Sequence, residues 1–332
     1  MPHRGFGFGV SHAAMRRMGG AVGASYSVTV GPTLPADWSV SRASVGTYFD
    51  SGGVLQTAAN DVARIAYDPA AGNALRGLLL EPASAELLIR TEDLSSSPWA
   101  ATNVAVTPDA IMAPDGATTA DLLEASAGPG FHTLTYGYGG TLPVPGILSF
   151  FAKKGSADYL FANFGGGSKN IRTVINLNTG TMATPQVTSC TLGIYGIVDV
   201  GGGWYLCYLQ SPDLTPTVAC EFTPYNSATV PASAPEAHTW TAAGETSFLW
   251  GVNFIQSSAL GSYIKATTAT TARALETLTI SNLNAKGFVD GHTYPTTITY
   301  EDDTTLDSSK TISSGAISFI GVHSKAIKSF SM

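Results

Sequence analysis

Ile171-Arg172-Thr173-Val174-Ile175-Asn176-Leu177 and Phe248-Leu249-Trp250-Gly251-Val252-Asn253-Phe254 decide the fold class. In the first stretch Ile171, Thr173, Ile175 and Leu177 fall on one side of an extended chain, Arg172, Val174 and Asn176 fall on the other, and Asn178-Thr179-Gly180 supplies a turn. Successive side chains of a strand point to opposite faces, so a period of two means a sheet with two unlike sides. In the second stretch the same period places Phe248, Trp250, Val252 and Phe254 on one strongly apolar face, which predicts a core strand. Working outward, residues 147–153, 159–164, 204–210 and 218–222 also predict strands, set among turns rich in Gly, Pro and Asn. Many short strands joined by such turns predict an all-β chain whose main domain is a β-sandwich or jelly roll. Helical spacing is confined to Thr118–Leu123, after the Pro114-Asp115-Gly116 turn.

Composition shifts divide the chain into four parts. In residues 1–38, Gly5, Gly7 and Gly9 alternate with Phe6 and Phe8, ahead of Met15-Arg16-Arg17-Met18. Such a segment has no core of its own and is expected to be an extended arm that docks on a partner. Phe6, Phe8, Met15 and Met18 are the candidates for burying apolar surface there, and Arg16 and Arg17 for pairing with acidic groups. Residues 39–90 predict a connecting β module, punctuated by Asp50-Ser51-Gly52-Gly53, Asp68-Pro69 and Ala71-Gly72-Asn73, with Leu78-Leu79-Leu80 stopped by Glu81-Pro82. The sandwich or jelly roll is expected over residues 91–275. Residues 276–332 predict a small C-terminal β module, with strands at Thr296–Tyr300 and Ala316–Val322 and the acidic turn Glu301-Asp302-Asp303. Its large apolar residues are few, so it is expected to lean on a neighbour.

The 332 residues carry 17 Lys+Arg against 24 Asp+Glu, a formal net charge of -7. Without a basic stripe there is nothing to displace counterions from phosphates, so nucleic acid is not an expected partner. Charged residues make up 12% of the chain, about half the ~25% of ordinary soluble domains, which leaves Ser, Thr, Asn and Gly to cover the surface. No apolar run of about 18 residues occurs, so no membrane insertion is expected. Arg16 and Arg17 interrupt the place where a secretory leader needs apolar residues, so the expectation is assembly in the cytosol. Cys190, Cys207 and Cys220 are odd in number and lack metal spacing, which predicts buried thiols.

A set of short motifs runs in order along residues 41–275. Its first part is Ser41-Arg42-Ala43-Ser44, Tyr48-Phe49-Asp50, Gly53-Val54-Leu55-Gln56, Tyr67-Asp68-Pro69 and Gly77-Leu78-Leu79-Leu80-Glu81. This part resembles the lead-in of phage head-spike and tail-fibre proteins. Its second part is Trp99, Ala113-Pro114-Asp115-Gly116, Thr118-Thr119-Ala120-Asp121, Ser149-Phe150-Phe151-Ala152-Lys153, Asn176-Leu177 with Thr179-Gly180, Gly203-Trp204-Tyr205-Leu206-Cys207, Trp250-Gly251 and Ser262-Tyr263-Ile264. That part resembles the carbohydrate-binding-module-like jelly roll of the same proteins. The resemblance implies a structural component of a virion, a homotrimer, attached to other virion proteins by its arm and carrying a fold often used on host-surface polysaccharide. Fold outlasts function, so the alternative is a structural adaptor that holds another fibre and binds no sugar.

Sugar binding needs flat aromatic faces ringed by hydrogen-bonding groups. Tyr136 and Tyr138, in Tyr136-Gly137-Tyr138-Gly139-Gly140, share a strand face, and either form a stacking platform or pack a strand edge. Tyr159, Phe161 and Asn163 share another face and lead into Gly165-Gly166-Gly167-Ser168, which gives Tyr159 and Asn163 as candidates. Trp240 sits in a polar stretch after Pro231 and Pro235, where an aromatic is either a binding group or a loop anchor. Asp115, Asp121 and Glu124 resemble acidic positions beside structural calcium in related jelly rolls, but three carboxylates fill only part of a calcium shell, so no metal is assigned. No cofactor motif, nucleophile elbow or metalloprotease motif occurs, and the six histidines are scattered, so no enzyme activity is expected.

Overall fold

The strand Gly146–Lys154 organises the middle of the molecule: Leu148, Phe150 and Ala152 point to one side, and Ile147, Ser149 and Phe151 to the other. In the computed structural model, which describes residues 24–140, 143–166, 168–214, 218–231 and 239–332, every strand pairing is antiparallel. Among the described residues the only helical pieces are the 3-10 turns Pro69–Ala71 and Asn284–Lys286, so the chain is all-β.

Gly146–Lys154 lies between Trp204–Ser211 and Thr246–Ile255 in an eight-stranded sheet that runs from Tyr195–Asp199 at one edge to Thr118–Ala125 and Val104–Met112 at the other. A seven-stranded sheet packs against its inner face, in the order Thr181–Met182, Lys169–Asn176, Tyr159–Gly166, Val218–Tyr225, Thr133–Gly137 and Trp99–Thr102, with Gln186–Thr188 also paired to Lys169–Asn176. Leu148, Phe150, Cys207, Leu209 and Phe254 from the first sheet meet Leu134, Leu160, Phe164, Ile171, Ile175 and Phe222 from the second. Phe150 and Phe222 meet edge to face at 4.8 Å. Each such side chain contributes roughly 1.5–3 kcal/mol by leaving water, and the ring geometry adds about 1 kcal/mol. The alternation at 171–177 is present as expected, with Ile171, Ile175 and Leu177 in this core.

Two local expectations are corrected. Thr118–Leu123 is not helical but part of the strand Thr118–Ala125. Its pairing with Val104–Met112 slips twice, so buried Ala120 and Leu123 stand three apart and imitate a helical spacing. In Thr246–Ile255 the four apolar residues do not share a face. Leu249, Val252 and Phe254 enter the core between the sheets, while Trp250 lies on the outer side against Phe151 and Tyr263, with Phe248 packed beside that cluster. The extra residue of a bulge opposite Ser149–Phe151, with Gly251 at φ +60°, turns the alternation over.

The second unit is built from both ends of the chain. Thr305–Thr311, Thr293–Tyr300, Ala326–Ser331, Ala74–Leu79 and Arg64–Asp68 form one sheet, with Ser27–Thr29 added along Ala326–Ser331. Trp38–Ser41, Thr277–Ile280 and Ile317–Ile320 form another, and Trp38, Leu78, Ile280, Ile298, Phe319 and Phe330 lie in the core they share. Residues 39–90 and 276–332 therefore share both sheets rather than standing as separate modules, and the chain from Ala24 to Trp38, placed in the arm by sequence, belongs to the same unit. The shortage of apolar side chains near the C-terminus is met by strands from the other end of the chain. Residues 84–273 are thus inserted between the two halves of a terminal unit. Phe6, Phe8, Met15, Arg16, Arg17 and Met18 lie outside the described residues.

Candidate functional site

Tyr136 and Tyr138 do face one side, but it is the inner side. Tyr136 is 4% exposed, its ring meets Trp99 edge to face at 5.0 Å, and its hydroxyl accepts the Ile89 N–H at 3.0 Å. Tyr138 is half-buried against the same core. The Tyr136 ring is therefore a packing element, with no face left for a sugar.

Tyr159, Phe161 and Asn163 lie on the outer face of the seven-stranded sheet, opposite inward Leu160, Ala162 and Phe164. Phe161 packs with Val174 and Tyr225, and Tyr159 is half-buried at the margin of that cluster with Ala183 and Val230. Asn163 is fully buried, and its amide donates to Gly165 O, Asn170 Oδ1 and Glu221 Oε2 at 2.8–3.2 Å. Its donors are thereby committed inside the protein, which leaves Tyr159 as the more accessible of the two. Trp240 is in the strand Thr239–Ala242, not a loop, paired through its backbone with Gly130; its side chain lies outside the described residues.

The three acidic candidates do not converge. Asp115 Oδ1 accepts Ala117 N–H in its own turn, and Glu124 is exposed. Asp121 is buried and accepts Leu94 N–H at 2.7 Å and Asp109 N–H at 3.1 Å. Burial raises its pKa to about 6, against the lowering effect of those two N–H groups. Among the described residues no three His, Cys, Asp or Glu side chains group as a metal ion would require.

Sequence reasoning missed the junction between the two units. The chain leaves the terminal unit at Glu81 and returns through Arg273–Glu276, and these crossings are tied by buried charges. Glu276 bonds Arg42 and Arg64, each at 2.6 Å, and accepts the Glu81 N–H at 2.6 Å. Glu81 bonds Arg64 at 2.8 Å and Arg273 at 3.3 Å, and accepts from Ser262 Oγ at 2.6 Å and Ser262 N–H at 2.8 Å. Every side chain of these four ion pairs is at most 2% exposed. Burial pushes the Glu81 pKa up, but Arg273 and Arg64 outweigh it and hold the group below its ordinary value. Removing ions from water costs several kcal/mol each, offset here by multiple pairing. The signal was present in the sequence: with only 12% charged residues, arginines and glutamates abutting apolar strands are conspicuous.

Beside the junction the units leave a cleft of about 570 Å³. Phe49 and Leu75 line it from the terminal unit, and Val198, Val200, Leu206 and Leu260 from the inserted one. Asp68, Pro69, Ala74, Arg76, Glu301, Asp302 and Lys328 complete the lining. A smaller recess of about 130 Å³, which reaches Glu81, Ser149 and Ser262, shares Phe49, Arg76, Leu206 and Leu260 with it. Arg76 Nε and Nη2 pair with the two Glu301 oxygens, and this carboxylate raises the Arg76 pKa. No family model matches the chain, and no curated protein matches it.

Proposed function

We propose that this protein is a structural component of a phage virion, a head spike or tail-fibre part, that attaches at its terminal unit and holds residues 84–273 outward to meet a host-surface glycan. The observation that carries the reading is the insertion. Ser27–Thr29 pairs with Ala326–Ser331, so both described ends of the chain lie in one unit, while the other unit is reached only through two crossings tied by the buried arginine–glutamate network. One end is suited to attachment and the other to presentation, without a hinge between them.

The inserted unit supports a jelly-roll reading. Trp204–Ser211, Gly146–Lys154, Thr246–Ile255 and Thr118–Ala125 lie side by side and face Lys169–Asn176, Tyr159–Gly166, Val218–Tyr225 and Thr133–Gly137, an eight-strand order in two sheets. Attachment runs through Phe6, Phe8, Met15, Arg16, Arg17 and Met18 to other virion proteins, and the protein works as a homotrimer in the particle. Several copies convert weak single-site sugar binding into avidity. The alternative, an adaptor without sugar binding, is favoured by the burial of Tyr136 and by the internal bonds of Asn163.

Binding of labelled, purified protein to host cells before and after periodate oxidation of their glycans tests the reading, with free reducing ends assayed in the supernatant. Periodate-sensitive binding without sugar release is expected. Absence of binding would leave the adaptor, and release of reducing ends would make the protein a hydrolase.

A further inference from the structure

We propose that the cleft between the two units is the saccharide site, taking a neutral, hydroxyl-rich sugar chain; this rests on the glycan reading above. The cleft lies within the roughly 300–1,000 Å³ of small-ligand sites, and such sites favour the seams between structural units. It is also preformed. The buried Arg42, Arg64, Arg273, Glu81 and Glu276 network fixes the angle between its walls, so little ordering accompanies binding.

The lining selects the ligand. Phe49, Leu206 and Leu260 offer a half-buried apolar floor that suits the C–H face of a sugar ring. Around it most charges are paired, Arg76 with Glu301 and, through two residues just outside the lining, Asp302 with Lys325 and Lys328 with Asp303; among the described residues Asp68 has no ion pair. A polyanion would meet three carboxylates, and a polycation would have to displace Arg76 from Glu301 and Lys325 from Asp302. Hydroxyl groups need neither. They can donate to the remaining lone pairs of Glu301, Asp302 and Asp68, and accept from Arg76 Nη1, which Glu301 leaves unused. Glu301 is itself fixed, because Oε1 also accepts the Ala326 N–H at 3.3 Å.

The test uses the full chain and surface polysaccharide extracted from host cells, native and periodate-oxidised, with affinity read by calorimetry. Leu75→Trp fills the mouth from a position that is 40% exposed, so the fold tolerates it. Arg76→Gln removes the guanidinium, and Val289→Trp, at an exposed residue away from the cleft, is the control. Expected is a loss of about tenfold or more, one contact of ~1.4 kcal/mol, for each cleft variant, with the control unchanged and Leu75→Trp melting like the parent. If Leu75→Trp binds like the parent while Tyr159→Ala weakens binding, the cleft is overturned and the glycan reading stands. If the parent does not bind native polysaccharide, or binds the oxidised form equally well, the glycan reading falls first and the cleft with it.

Discussion

Arg64 and Glu276 are 212 positions apart in the chain and fully buried, yet they form a two-pronged pair, Nη2 to Oε2 at 2.6 Å and Nε to Oε1 at 3.1 Å. Glu276 also holds Arg42, and Arg64 also holds Glu81, so each partner of the pair is the centre of a further contact. A charge buried in this way is tolerable only while its partners stay in place. The pair therefore makes the junction all-or-none, and the two units are expected to lose their relative orientation together with their stability.

Glu276→Ala should lower stability by about 3–5 kcal/mol, because it leaves the buried Arg42 guanidinium without an ion pair and Arg64 with Glu81 alone. Urea denaturation of the purified chain measures this. Arg64→Met combined with Glu276→Met should cost less than the sum of the single changes, since neither charge is then left alone. Strict additivity would mean that the two residues do not act as a pair.

Asp121 gives a pH dependence whose sign can be worked out. Its pKa in the fold is about 6, against 3.8 for the free side chain, so the folded state holds more protons between these values. Stability contributed by this group is then present below pH 3.8 and is lost as pH rises through 6. Asp93 and Asp109 add to the effect of burial, while the Leu94 and Asp109 N–H groups oppose it. Asp121→Asn should flatten the fall in stability between these two pH values when unfolding curves of both proteins are compared. An unchanged slope would mean that other groups set it.

Glu86 is a second buried carboxyl, raised well above its ordinary range by burial. Its Oε1 accepts Leu88 N–H at 2.7 Å and Phe254 N–H at 3.0 Å. Glu86→Gln keeps an acceptor for both N–H groups and should cost less than Glu86→Ala, which leaves two buried donors unpaired at roughly 1–3 kcal/mol each. Thermal unfolding of the two variants at pH 7 distinguishes these outcomes.

The strands were legible where the alternation was regular, as at Ile171 to Leu177, because a period of two needs only local residues. It failed at Trp250, where a bulge reverses the side chains, since a bulge depends on the register with a neighbouring strand. Long-range pairing hid the rest: nothing local shows that Arg64–Asp68 and Ala74–Leu79 share a sheet with Thr293–Tyr300 and Ala326–Ser331. For the site, the shared face of Tyr136 and Tyr138 was readable, but whether that face looked inward was not. The cleft was invisible for the same reason, since Phe49 and Leu206 meet only after both units have formed. Gly251 puts the bulge to the test. At φ +60°, a Cβ there would lie 3.0 Å from the Phe151 ring and 3.3 Å from Tyr263. Gly251→Ala should cost about 1–3 kcal/mol, from left-handed backbone and crowding together, as read by a lower melting temperature.

Tyr136 distinguishes packing from ligand contact. Tyr136→Phe removes the bond to the Ile89 N–H and should cost about 1 kcal/mol or slightly more, because that donor is left part-buried. Tyr136→Ala also opens a cavity beside Trp99 and should cost about 3–5 kcal/mol. Both variants should bind polysaccharide in proportion to their folded fraction, with the affinity of the folded protein unchanged. A Tyr136→Phe protein that melts like the parent but binds much more weakly would return the phenol to the sugar site and require the strand to open there, since the closed core leaves no route for a ring to reach it.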